Sequence, residues 1–223
     1  MMPWPAKLVL VRHAESEGNV RPDPDERAAY EVATHAYPLT ERGRRQAELT
    51  GAWLRDVYGG FDVYYTSYYA RAKETMALMF PEARVYEDSR LAEANRGIYH
   101  TYTKEEIARY YPKELERKER EGLYHHRPFG GENWPDIEQR VHSFLGTLNR
   151  DCGGERVLIV VHGFWLILFQ KLVHHFSVEE AEARYRNQVV PNASVTTYEA
   201  SDRTRGRLTL ARETPFVPWQ DRI

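Results

Sequence analysis

Two short apolar runs, far apart in a chain of 223 residues, constrain what this sequence can fold into. Leu8, Val9, Leu10 and Val11 form the first, and Val157, Leu158, Ile159, Val160 and Val161 form the second. Neither run alternates with polar residues, which fits strands buried on both faces inside a sheet covered by helices. Each run stops at a histidine. The first ends at Arg12-His13, followed by Glu15, Ser16, Glu17 and Asn19, and the second ends at His162-Gly163. A buried strand ending in an arginine or an imidazole brings costly polar groups to the rim of a core. In open α/β sheets that rim, at the carboxyl ends of the strands, is where ligands bind. Arg12 offers a planar fork of donors suited to phosphate or carboxylate. His13 can serve as a nucleophile, a proton carrier or a metal ligand. Taken singly, each is equally well a strand end with solvated polar residues.

The intervening chain reads as alternating helices and strands. Thr40 is a candidate N-cap for a helix that carries Ala47, Leu54 and Val57 on one face and ends at Gly59-Gly60. Residues 61–67 suit a strand, with Ser67 as the cap of a following helix whose first turn holds Arg71. That helix start and its arginine together make an anion site. A short strand at 83–88 precedes a polar loop, 89–102, with Glu93, Arg96 and His100. Thr103 and Glu106 form a capping-box pattern, and Pro112 stops or kinks the helix it opens. The charged stretch 114–121 reads as a solvated helix face without a chemical role. Tyr110 and Tyr111 are expected in the core or an interface. Ile137, Val141, Phe144, Leu145 and Leu148 make an apolar helical stripe, and a second capping box lies at Ser177 and Glu180. Residues 194–199 and 207–212 resemble antiparallel strands joined by a polar turn at 201–206. Residues 21–38 read as a long loop, with one helical turn around 26–32.

The expected fold is α/β: a three-layer α/β/α domain spanning 1–223, its mostly parallel sheet carrying an antiparallel edge strand, with a helical lid insertion at about 95–133. A formal charge of −2 gives no electrostatic case for binding nucleic acid or an anionic membrane. The one cysteine, Cys152, rules out an intrachain disulfide framework and a cysteine-built zinc site. With an N-terminal stretch that lacks an apolar signal segment, it leads to the expectation of a cytoplasmic protein. Nothing in the sequence supports or specifies a homo-oligomer. The adjacent pairs His125-His126 and His174-His175 have no metal-ligand spacing and are expected at the surface or in the lid, with His125 or His126 near the pocket as the exception.

In this arrangement His13, His162 and the 66–71 turn reach the same sheet edge, converging two arginines, two histidines and a helix N-terminus. Here the residues resemble a known family, the histidine phosphatase superfamily, which includes phosphoglycerate mutases and fructose-bisphosphatases. VRHAESEGN resembles its Arg-His-Gly signature, with Ala14 where glycine is commonest, and TSYYARAKET its Ser-x-x-x-Arg-Ala-x-x-Thr element. LAEANRG resembles the acid loop, GGENWPDIEQRV the Gly-Glu-Ser segment with Asn133 in place of serine, and VVHG and PNASV two later elements. These recur in family order from Val9 to Tyr198.

The resemblance implies a phosphoric monoester hydrolase in which His13 becomes a phosphohistidine. Arg12, Arg71 and His162 would surround the phosphoryl oxygens, and Glu93 would protonate the leaving group. It further implies Asn19, Ser16 and Gly163 as phosphate contacts. Arg127, just before Gly130-Gly131, is expected to touch the non-reacting part of a small phosphomonoester. Glu132 is read as orienting an arginine or His162. Neither metal nor cofactor is expected. The alternatives are mutase-type phosphoryl transfer, against which the acid loop lacks the mutases' Glu-Arg-x-Tyr-Gly spelling, and a non-catalytic phospho-ligand binding protein.

Overall fold

β1 (Lys7–Arg12) and β4 (Arg156–Val161) lie parallel at the middle of a sheet ordered β3-β2-β4-β1-β5-β6. This computed structural model describes residues 4–20, 32–200, 208–210 and 216–223. The helical turn expected around 26–32 lies mostly outside the described residues, and the turn expected at 201–206 wholly so. β2 (Val63–Thr66) pairs in parallel with β4 and with β3 (Val85–Glu87). β5 (Val195–Glu199) runs antiparallel to β1, and the short β6 (Thr209–Leu210) covers its outer edge. The antiparallel strand therefore sits one place in from the edge.

Because successive side chains on a strand face opposite ways, the unbroken apolar runs feed two cores at once. Leu8, Leu10, Val157, Ile159 and Val161 pack with α6 (Trp134–Asp151) and α7 (Gly163–His174). Val9, Val11, Leu158 and Val160 pack with α1 (Glu41–Tyr58) and α2 (Ala70–Met79). All nine strand residues are fully buried, each stabilising the fold by roughly 1.5–3 kcal/mol. The result is the expected three layers. α6 presents its stripe of Ile137, Val141, Phe144 and Leu148 to the sheet, and α8 (Val178–Asn187) adds Ala181 to the same core. Helix starts agree with the sequence signals. Thr40 Oγ1 accepts from Gly43 N at 2.9 Å, and Thr103–Glu106 and Ser177–Glu180 close as capping boxes. Among the described residues no helix is long and apolar enough to cross a membrane.

The region 95–133 holds α3 (Ile98–Thr101), α4 (Lys104–Tyr110) and α5 (Pro112–His125). The expected loop at 89–102 is thus partly helical, with a 3-10 turn at Ser89–Leu91 as well. Pro112 ends one helix and opens the next, at a first-turn position where its missing N–H costs nothing. The stretch 114–121 is not wholly solvated. Glu114 is buried, its Oε1 accepting from His126 Nε2 at 3.0 Å and Phe129 N at 3.1 Å, and its Oε2 from Arg117 Nη2 at 2.7 Å. The chain turns at Gly122 (φ +73°) and lays residues 126–129 over the start of α5, a reversal that charge patterning does not reveal. His126 is buried with it, whereas Tyr110, expected inside, is exposed.

α1 approaches the loop after β1 closely. A Cβ at Gly43 would lie 1.9 Å from the Glu15 carbonyl oxygen, whereas one at Gly146 in α6 meets nothing within 4 Å. Gly146→Ala is therefore expected to stabilise the fold by about 0.5–1 kcal/mol, the ordinary helix preference for alanine. Gly43→Ala is expected to destabilise it despite the same preference. Denaturant midpoints for the two variants should move in opposite directions.

Candidate active site

His13 and His162 are the residues that come directly after β1 and β4, whose register pairs Arg12 with Val161. Their rings come within 5.0 Å, centroid to centroid, and both are buried. Their hydrogen bonds assign opposite tautomers. His13 Nδ1 lies 2.7 Å from the Ala14 carbonyl oxygen, which can only accept, so Nδ1 carries the proton. His13 Nε2 accepts from Arg71 Nε at 3.0 Å. In His162 the arginine faces the other nitrogen. Nδ1 accepts from Arg71 Nη2 at 3.2 Å, and Nε2–H donates to Ser67 Oγ at 2.9 Å. Burial, with the neighbouring Arg71 and Arg12 charges, holds both imidazoles well below their ordinary pKa and hence neutral.

Arg71 occupies the second position of α2, as expected, and is buried. Its remaining Nη1 donates to the Thr34 carbonyl at 2.7 Å, and its guanidinium sits 4.6 Å from the Tyr69 ring centroid. Arg12 Nη1 donates to the Val190 carbonyl. Arg12 Nε is buried without a hydrogen-bond partner among the described residues. Burial lowers both guanidiniums' pKa while the Glu93 carboxylate acts to raise it, so Glu93 is the anion that faces them both. Each remains a cation.

Arg12, His13, Ser16, Asn19, Arg71 and Glu93 line one cavity of about 260 Å³. Asn19 Oδ1 accepts from Ser16 N at 3.0 Å and Asn192 Nδ2 at 3.2 Å, which leaves the Asn19 amide N–H groups without a partner among the described residues. His162 lies behind Arg71 and does not line the cavity. Gly163 also lies behind it, where a Cβ would stand 3.4 Å from Arg12 Nε. Arg127 is not in its wall. It pairs with Asp136 in the first turn of α6, a partner nine residues away in sequence that competes for the side chain. Among the described residues no group of three or more His, Cys, Asp or Glu could hold a metal ion.

Glu132 orients an arginine, as the sequence allowed, and that arginine is Arg140. Arg140 Nε and Nη2 bond Glu132 at 2.9 and 3.1 Å. The same guanidinium donates to the carbonyls of Arg90, Ala92 and Glu93 at 3.0, 2.6 and 3.2 Å. Glu132 also accepts from Asn95 N at 2.9 Å. With Glu132 N donating to the Asn95 carbonyl at 2.9 Å, the loop that presents Glu93 is tied at five backbone points to α6 and its approach.

Sequence reasoning placed His13, Arg12, Arg71, Glu93, Ser16 and Asn19 together. It missed the cavity walls formed by Gly18, Thr34, Tyr37 and Tyr69. It also took Ser67 as a helix cap. The cap position belongs to Tyr69, and the Ser67 hydroxyl is used by His162 instead. The presence of Ser67 and Thr75 in the family-like element was the one available signal for these supports. Thr75 Oγ1 accepts from Ala14 N at 3.0 Å and donates to the Arg71 carbonyl at 2.6 Å.

The family model of the histidine phosphatase superfamily (branch 1) matches residues 8–212. A 2,3-bisphosphoglycerate-dependent phosphoglycerate mutase of Methylobacterium radiotolerans is 36% identical over 170 residues, 70% of this chain and 73% of that one. Phosphoserine phosphatase 1 of Hydrogenobacter thermophilus is 32% identical over 166 residues, 70% of each chain. The crystal structure of the alpha-ribazole phosphatase of Shigella flexneri superposes with a TM-score of 0.74 at 24% identity, covering 92% of this chain and 94% of that one.

The opposite tautomers can be tested by 15N–1H correlation of the histidine rings. His13 should appear as the Nδ1–H form and His162 as the Nε2–H form, with neither protonating as pH falls through the ordinary value of 6.5. Protonation of either ring there would contradict the assignment. Because both pKa values are depressed in the folded chain, the unfolded chain takes up protons first. The stability that these two residues contribute is complete above 6.5 and is lost as pH falls below it. Replacing them should flatten that part of a stability–pH curve.

Proposed function

The chain belongs to the histidine phosphatase superfamily, and we propose that within it this protein is a metal-independent phosphomonoester hydrolase working through a phosphohistidine on His13. The observation that carries this reading is the state of His13: neutral, its Nδ1–H held by the Ala14 carbonyl, its Nε2 lone pair beside Arg71 in a cavity walled by two guanidiniums. That is a nucleophile without a proton to lose.

On entry, a phosphoryl oxygen takes over the Arg71 Nε–H, which frees the His13 Nε2 lone pair. The Arg12 guanidinium in the cavity wall and the Asn19 amide are donors left for the other oxygens. His13 Nε2 then bonds to phosphorus as the phosphorus–alkoxide bond breaks, and Glu93 relays to the departing oxygen the proton that the phosphate monoester monoanion brings in. In the second half, the Glu93 carboxylate takes a proton from water, and that oxygen attacks phosphorus. The phosphorus–nitrogen bond breaks, inorganic phosphate leaves with the proton held by Glu93, and neutral His13 and the Glu93 carboxylate are restored. The arginines neutralise the charge spread over the transferring group, the task that metal ions perform in many phosphoryl-transfer enzymes. Their fixed donor forks make lysine a poor substitute.

Return of the phosphoryl group to an acid, as in a mutase, is the second reading, and the 36% identity to a phosphoglycerate mutase favours it. A 2,3-bisphosphoglycerate-stimulated interconversion of phosphoglycerates would establish it.

Release of inorganic phosphate from p-nitrophenyl phosphate should survive EDTA, disappear in His13→Ala, and fall by roughly 10²–10³ in Arg71→Lys. An acid-labile phosphoryl group should be trapped on His13. Activity abolished by EDTA and restored by a metal, or turnover undiminished in His13→Ala, would overturn the proposal.

A further inference from the structure

A second cavity, of about 510 Å³, opens beside the first under α3, α4 and α5. The two share Glu93, Ala94 and Arg96 as walls. This sharing sets a direction. A proton donor must touch the bridging oxygen, so the alcohol departs on the side of Glu93, into the second cavity. The first cavity, of about 260 Å³, takes the phosphoryl group and is half the size of the second. The second is within the roughly 300–1,000 Å³ of cavities that enclose whole ligands.

Its lining specifies a chemistry. Trp134, Phe164 and Tyr185, from α6, α7 and α8, form one aromatic wall with ring centroids 4.9–5.4 Å apart. Tyr99 and Tyr102 supply more of the lining from the insertion. Such rings present flat apolar faces that favour a planar partner in offset or edge-on contact. The charges are unbalanced. Arg96, Lys104 and Lys118 line the cavity and make no ion pair among the described residues; Lys118 Nζ lies 4.6 Å from the Tyr99 ring centroid. Of the two acids present, Glu132 is neutralised by Arg140, and Glu93 faces Arg12 and Arg71. A three-carbon alcohol such as glycerate or serine would leave most of this space and all of its aromatic surface unused.

We infer that the alcohol released by this site has an aromatic body and carries a second anionic group, with the ring against the Trp134–Phe164–Tyr185 wall and the anion among Arg96, Lys104 and Lys118. This rests on the phosphomonoesterase reading above.

The test compares kcat/KM for three esters of primary alcohols: ethyl phosphate, 2-phenylethyl phosphate and 2-(4-carboxyphenyl)ethyl phosphate. All three leave as similar alkoxides, so their differences report binding of the remote part in the transition state. The phenyl ester is expected to exceed ethyl phosphate by about 30-fold, as burial of one ring allows. The carboxylate should add roughly 5-fold, a modest charge–charge gain near a surface. Tyr185→Ala and Tyr102→Ala should shrink the phenyl advantage. Lys104→Met combined with Lys118→Met should shrink the carboxylate step and keep the phenyl advantage. Equal kcat/KM for all three esters, with His13-dependent hydrolysis of p-nitrophenyl phosphate intact, would overturn the aromatic pocket and leave the phosphatase standing. A phenyl advantage without a carboxylate step would overturn the anionic half. Absence of phosphoryl transfer to His13 from every ester, p-nitrophenyl phosphate included, would remove the premise itself.

Discussion

The parallel pairing of β1 with β4 is the constraint on which the site depends. Both strands are apolar along their whole buried length, so they can lie only in the interior of a sheet covered on both faces. Their register is fixed by two cores at once, since a slip of one residue would exchange the sets of side chains facing α1–α2 and α6–α7. That register brings the next residue of each strand, His13 and His162, side by side at the carboxyl edge. The candidate site is in this sense a by-product of how the core packs.

Such packing creates an electrostatic problem. Two imidazoles and two guanidiniums are buried within one small region, and burial of an unpaired charge is costly. The fold answers by giving each group partners from distant loops: Thr34 and the two histidines for Arg71, Val190 for Arg12, and Ser67 for His162. The histidines stay neutral because burial disfavours a charged ring and protonating either would add a third positive charge among these groups. Arg12 Nε is left buried without a partner among the described residues, a cost of this packing that the fold does not recover.

The acid side is built differently. Glu93 lies on a loop between a 3-10 turn and the insertion, where backbone alone would not fix it. Arg140 reaches from α6 to three carbonyls of this loop, and Glu132 holds both the arginine and the next turn of chain. Glu132 and Arg140 thus tie the two ends of the insertion together, at Asn95 and at the approach to α6. The insertion then contributes the outer wall of the neighbouring cavity.

The local order of the chain determined a good deal by itself. Unbroken apolar runs specified the two central strands, and polar side chains three residues apart specified the helix starts at Thr40, Thr103 and Ser177. The histidines that end the runs, with Arg71 in the first turn of its helix, announced a site because strand ends share an edge in such a sheet. These are properties of a few consecutive residues and of sheet geometry. Tertiary structure decided what depends on partners brought from afar. The charge pattern around Glu114 marks a solvated helix face, yet the reversal at Gly122 buries it against His126. Arg127 has the right neighbours for a pocket residue but is held by Asp136. The Ser67 hydroxyl, suited by type to cap a helix, serves an imidazole 95 residues away in sequence. A polar side chain takes the partner that leaves the fewest buried groups unpaired. Only the folded chain determines which partners are within reach.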